Sequence, residues 1–168
     1  MKNVIIHCVS EDYFSLDDLN DQIISFSFSE VDKSNKPAKV SQVLRNFKVK
    51  QSAAQVWCFV RHLPLLVGIK VPENDQKWEC LLKLRDMLFY VCAVSLGREN
   101  ILSMADVIEE FHESFRTCFP DVTITPKFHY TLHYPHLTLL FGPLVHLQTL
   151  RFEGKHNYFK ELVFRKKK

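Results

Sequence analysis

Two stretches of this sequence carry side chains at spacings that could do chemistry. His129 and His133 stand four residues apart, so on a helix they share one face and could ligate a metal ion. The pair is incomplete as a zinc hydrolase motif. Tyr130 occupies the position where a general-base Glu would follow the first histidine, and Pro135 interrupts the helix just beyond. Beside Phe128, Tyr130 and Tyr134, such histidines are more often packing residues whose ring nitrogens find hydrogen bonds. The second stretch runs from Arg151 to Lys160. On a helix it puts Glu153, His156, Asn157 and Lys160 on one face, a carboxylate among polar groups that could serve a divalent cation. The competing reading is a solvated polar stripe with Glu153 paired to His156 or Asn157; no second carboxylate lies close by on that face.

Other chemistries find less support. Gln51 to Cys58 is a distinctive run, but small residues around Trp57 indicate close helix packing, and Cys58 has no sequence-adjacent His or basic partner to activate its thiol. No Gly-rich loop cradles phosphate. The cysteines at 8, 58, 80, 92 and 118 are odd in number and none lies within eleven residues of another, which fits neither a disulfide framework nor a zinc knuckle. A reducing compartment is expected, and the short apolar start, Val4 to Cys8, falls far short of a secretory signal. The expected location is intracellular, the nucleus included. Charge is unevenly spread: residues 1–35 hold two bases against seven acids, and residues 151–168 hold seven bases against two acids, within a net charge of +3. The basic end could track phosphate, although a solvated tail is the commoner explanation. Phe128 to Leu150 lacks any Lys, Arg, Asp or Glu, but four histidines, Pro135 and Gly142-Pro143 argue against a membrane span.

The elements that must position these residues read as helical. Four Gly among 168 residues disfavour a many-stranded sandwich. Ser15 caps a helix carrying Leu16, Leu19, Ile23 and Phe26, with Asp18 completing a capping box. Residues 1–30 form two short helices and residues 31–50 an exposed connector. Helical spacing resumes from Ser52 to Leu66, where Pro64 bends or ends the helix. After a loop at Lys70 to Asp75, Trp78 to Leu96 is apolar nearly all round, which places that helix centrally, and Gly97 stops it. Residues 99–116 are amphipathic. One short strand is allowed at Val122 to Thr125, Lys127 to Phe141 is helical around Pro135, and a last helix runs from about Leu147 towards Phe164. The expected fold class is mainly α, an irregular bundle of about six to seven helices with little or no sheet. Residues 51–164 form its main domain and 165–168 a basic tail.

Several phrases together resemble a transposase-like protein family abundant in animal genomes and related to the plant CACTA transposases. They are Tyr13 to Asn20, Asp32 to Pro37, Gln51 to Cys58, Leu63 to Leu66 with Lys70 to Glu73, and Phe119-Pro120-Asp121 leading to Pro126 through His129. His133-Tyr134-Pro135, Phe141 to Leu144, and Arg151-Phe152-Glu153 with Lys155-His156 complete the set. The resemblance implies an RNase H-like ancestry, in which two Asp and one further acid hold two divalent ions, Mg2+ or Mn2+, for DNA strand transfer. It makes Glu153 the third acid and metal ligand, with Arg151, Lys155, His156 and Lys160 contacting DNA. The bundle would correspond to the helical insertion and final helix of such an enzyme. The strands carrying the first two Asp are expected upstream of this chain, so the catalytic set is incomplete. Leu147 to Leu150 and Gly154 also depart from the Trp- and Ala-containing pattern of relatives. The implied product is a transposase-derived fragment, with no cofactor expected for the chain alone. The alternative is a host-recruited helical module that binds DNA or protein or self-associates, without a membrane partner.

Overall fold

The computed structural model describes residues 1–40 and 51–147, and every regular element among them is helical, with no strand. The two expected N-terminal helices are α1 (Lys2–Ser10) and α2 (Leu16–Ser25). Asp12 makes the bend between them at φ 58°, a left-handed conformation that Asp tolerates better than most residues. The capping box of α2 forms as its sequence predicts: the Ser15 hydroxyl accepts from the Asp18 amide at 3.0 Å, and the Asp18 carboxylate accepts from the Ser15 amide at 3.0 Å. Leu16, Leu19 and Ile23 then turn inward together.

Residues 31–40 begin within a single helical turn, α3 (Glu30–Lys33), and bury Asp32 and Val40 while Val31, Lys33, Ser34, Ala38 and Lys39 stay exposed. Asn20 fixes the end of this stretch by bonding both backbone groups of Val40, donating to its carbonyl at 3.0 Å and accepting from its amide at 2.8 Å.

α4 (Ala53–Val67) starts with a second capping box, Ser52 with Gln55, and Pro64 lies inside it without ending it. A 3-10 turn at Gly68–Lys70 leads to α5 (Gln76–Val91), whose N-cap is Asp75. α5 stops five residues before the expected end. The Val94 carbonyl accepts from the His146 ring at 3.1 Å, a tertiary bond in place of a helical one. α6 (Glu99–Cys118) buries Ile101, Met104, Ile108 and Phe111 along one face, the amphipathic pattern expected of it. Val122 to Thr125 is irregular rather than a strand. The helical stretch after it is divided into α7 (Pro126–Tyr130), a 3-10 turn at Thr131–His133, and α8 (Tyr134–Phe141), so the break falls just before Pro135. Gly142, at φ 79°, ends α8 in a conformation that a side chain would strain, and a 3-10 turn at Leu144–Leu147 follows. The helix expected beyond Leu147 lies outside the described residues.

The helices enclose two apolar clusters that share one helix. The first gathers Ile5, Leu19, Ile23, Phe59, Leu63 and Leu81 from α1, α2, α4 and α5. The second gathers Met87, Val91, Met104, Ile108, Phe111 and Leu144 from α5, α6 and the last turn. Leu84 and Leu88 pack against both, and α5 touches α1, α4 and α6, which is why its sequence is apolar round most of its circumference. No helix among the described residues is long and apolar enough to cross a membrane.

Candidate functional site

The group of side chains best placed for chemistry is formed where α3 meets α4. Cys58 and His62 are one helical turn apart on α4, and the Ser52 cap together with the burial of Phe59 and Leu63 fixes the rotation of that helix. The Cys58 sulfur lies 3.6 Å from His62 Nδ1, and the same nitrogen donates to the Cys58 carbonyl at 2.8 Å. Asp32, from α3, brings Oδ2 to 3.7 Å from His62 Nε2. One ligand atom from each of Asp32, Cys58 and His62 falls within 4.8 Å of the other two, and Asp32 and Cys58 are buried.

The neighbours hold these groups in place. Arg61 pairs with Asp32 Oδ1 and stacks over Trp57, its guanidinium carbon 4.2 Å from the ring centre. Ser29 donates to Asp32 Oδ2 at 3.2 Å. Phe26 and Phe28 bracket the His62 ring, with centroids 5.5 and 5.1 Å away. Arg61 also lines a cleft of about 640 Å³ with Trp57, Arg85 and Phe89, so it stands between that cleft and the buried carboxylate. Burial pushes the Cys58 thiol above its ordinary pKa, and the charge of Asp32 adds to this against the opposing pull of Arg61. A protonated, fully buried thiol is not a nucleophile.

Two further polar networks join distant segments. Asp75 accepts from His7 Nε2 at 2.7 Å, from the Tyr13 hydroxyl at 3.2 Å and, as N-cap of α5, from the Trp78 amide at 2.7 Å. Burial opposes its ionisation, but these hydrogen bonds prevail and hold its carboxyl below the usual range. His112 donates from Nε2 to Thr131 Oγ1 at 2.7 Å, because the Thr131 hydroxyl proton is already given to the Phe128 carbonyl at 2.7 Å. Its Nδ1 is buried without a hydrogen-bond partner, and burial first, then Arg116 and His129, push its pKa down.

Of the residues singled out from sequence, Arg151, Glu153, Lys155, His156 and Lys160 lie outside the described residues. His129 and His133 do approach, ring centroids 5.2 Å apart and edge to face, but both are exposed. Cys58 has no sequence-adjacent His or basic partner, but the helix brings His62 and Arg61, four and three residues on, beside it. The Cys-x-x-x-His spacing on a predicted helix was the available signal for that pair; nothing local pointed to Asp32. No family model matches the chain, and neither a curated protein nor a solved structure matches it.

Thiol, imidazole and carboxylate together form a donor set suited to a borderline transition metal. The ion pair of Arg61 with Asp32 joins α4 to α3 at the same place.

Proposed function

We propose that the chain is a transposase-derived helical fragment, ancestrally part of an enzyme that used Mg2+ or Mn2+ for DNA strand transfer, with an acidic set incomplete for catalysis. The observation that carries this reading is that two phrases bearing the family resemblance bond to each other. The Gln55 side-chain amide donates to the Lys36 carbonyl at 3.1 Å; Gln51 donates at 2.9 Å to the carbonyl of Ala38, just past the first phrase, and Arg61, just past the second, pairs with Asp32. Residues that resemble the family are therefore also residues that hold the body together, which is what a retained ancestral insertion requires. On this reading the described helices correspond to that insertion, and Glu153 is the surviving third acid.

The test is nicking of supercoiled DNA by the purified chain with Mg2+ or Mn2+. No cleavage above background is expected, with Glu153→Gln indistinguishable from the parent. Cleavage that Glu153→Gln abolishes would refute catalytic incompleteness. A second reading, a host-recruited module that binds DNA or protein, is favoured by α8, which ends in Leu139, Leu140 and Phe141, all exposed. Salt-sensitive DNA binding that weakens when Lys166 to Lys168 are neutralised supports its nucleic-acid form. Absence of binding at low salt removes that form.

A further inference from the structure

We propose that Asp32, Cys58 and His62 form a binding site for one divalent transition-metal ion of the zinc type, with solvent in the remaining position. The argument begins with the His62 ring. Its Nδ1 lies 2.8 Å from a backbone carbonyl, which can only accept, so that nitrogen carries the proton. In the neutral ring Nε2 is then a lone pair, and it faces Oδ2 of Asp32 at 3.7 Å. Two acceptors thus stand across a gap of a size that a metal ion fits.

Distances favour the ion. At 3.7 Å the two atoms are too far apart for a good hydrogen bond. Two ligands bonded to zinc at ~2.0–2.1 Å each stand roughly 3.3 Å apart at a tetrahedral angle and roughly 4.1 Å apart when opposed. The observed separation lies inside that interval. Cys58 sits one turn before His62 with its sulfur 3.6 Å from Nδ1, and one ligand atom from each of the three residues lies within 4.8 Å of the others, so rotation of the thiol toward the Nε2 side brings sulfur to the ion. The surroundings resemble those of a built site. The His62 Nδ1 bond to a carbonyl fixes tautomer and ring orientation; Arg61 holds Asp32 by Oδ1, and Oδ2, which accepts from Ser29, keeps a second lone pair for the ion. Phe26 and Phe28 shield the ring, and the partly exposed His62 side chain opens the site to solvent. Thiolate, imidazole and carboxylate select zinc over Mg2+ or Ca2+, which take oxygen ligands. Binding releases the Cys58 proton to solvent, since the ligand is the thiolate.

The experiment is titration of chelator-treated full-length chain with Co2+, followed by displacement with Zn2+. One equivalent of Co2+ is expected to produce a near-ultraviolet thiolate-to-cobalt absorption that Zn2+ removes. Cys58→Ser should abolish that absorption. Asp32→Asn and His62→Gln should weaken uptake by on the order of 100-fold or more, and Arg61→Gln by about tenfold. A His129→Ala, His133→Ala double variant should leave it unchanged. Far-UV circular dichroism establishes that each variant is folded; if Cys58→Ser does not fold, Asp32→Asn and His62→Gln carry the comparison. Failure to take up one equivalent, uptake without the thiolate absorption, or an absorption that survives in Cys58→Ser overturns the assignment.

Discussion

Replacing Asp75 by Ala tests how the first helix is tied to the centre of the bundle. The carboxylate serves three donors on three segments: the His7 ring and the Tyr13 hydroxyl, both more than sixty residues away, and the Trp78 amide at the start of α5. Its side chain is only 8% exposed and that of His7 14%, so water does not readily replace the lost acceptor. Loss of the N-cap costs ~1 kcal/mol. The half-buried His7 ring, left without its acceptor, adds ~1 kcal/mol, while the Tyr13 hydroxyl can bond water instead. Asp75→Ala is therefore expected to lower unfolding free energy by about 2 kcal/mol, which for a chain of this size is a fall in Tm of roughly 4–8 °C. Asp75→Asn retains an acceptor and should cost about 1 kcal/mol. Urea unfolding at pH 7, followed by far-UV circular dichroism, measures both. A fall in pH gives an independent check. Because folding holds this carboxyl below its ordinary value, its stabilisation is present above the unfolded pKa of about 3.9 and is lost as pH drops through the folded value. That acid-side component should be missing from Asp75→Asn. An Asp75→Ala protein within about 0.5 kcal/mol of the parent would refute the account of the network as a clamp.

Two other outcomes follow from buried groups. His112 is held neutral, its pKa depressed, so the unfolded state takes up the proton first as pH falls. Stability should be full above pH ~6.5 and decline below it until the folded value is reached, and His112→Phe should remove this slope in urea unfolding measured at several pH values. The thiols should differ in reactivity. Cys8, whose pKa burial pushes up to about 12, and Cys58 should resist iodoacetamide in the native protein at pH 8, while the half-exposed Cys92 and Cys118 react first; mass spectrometry of peptides reads the order.

Much of the local structure was legible because it depends on neighbours in the chain. Ser15 and Asp18 cap α2 through residues three apart, and the spacing of Ile101, Met104, Ile108 and Phe111 defines the buried face of α6. The Ser52 and Gln55 capping box of α4 has the same three-residue signature. Where a helix ends was less accessible. α5 stops at Val91, and just beyond it the Val94 carbonyl accepts from His146, fifty-two residues later, a contact no local window contains.

The sequence by itself determined a helical body, its caps, its amphipathic faces and the central position of α5, since hydrogen bonds within a turn and apolar periodicity are short-range properties. Only the tertiary structure decided that Asp32 enters the interior beside Cys58 and His62, and that Asp75 joins α1 to α5. A carboxylate far along the chain meets an imidazole because packed apolar faces bring their helices together, and the pairing has no signature in either residue's own neighbourhood.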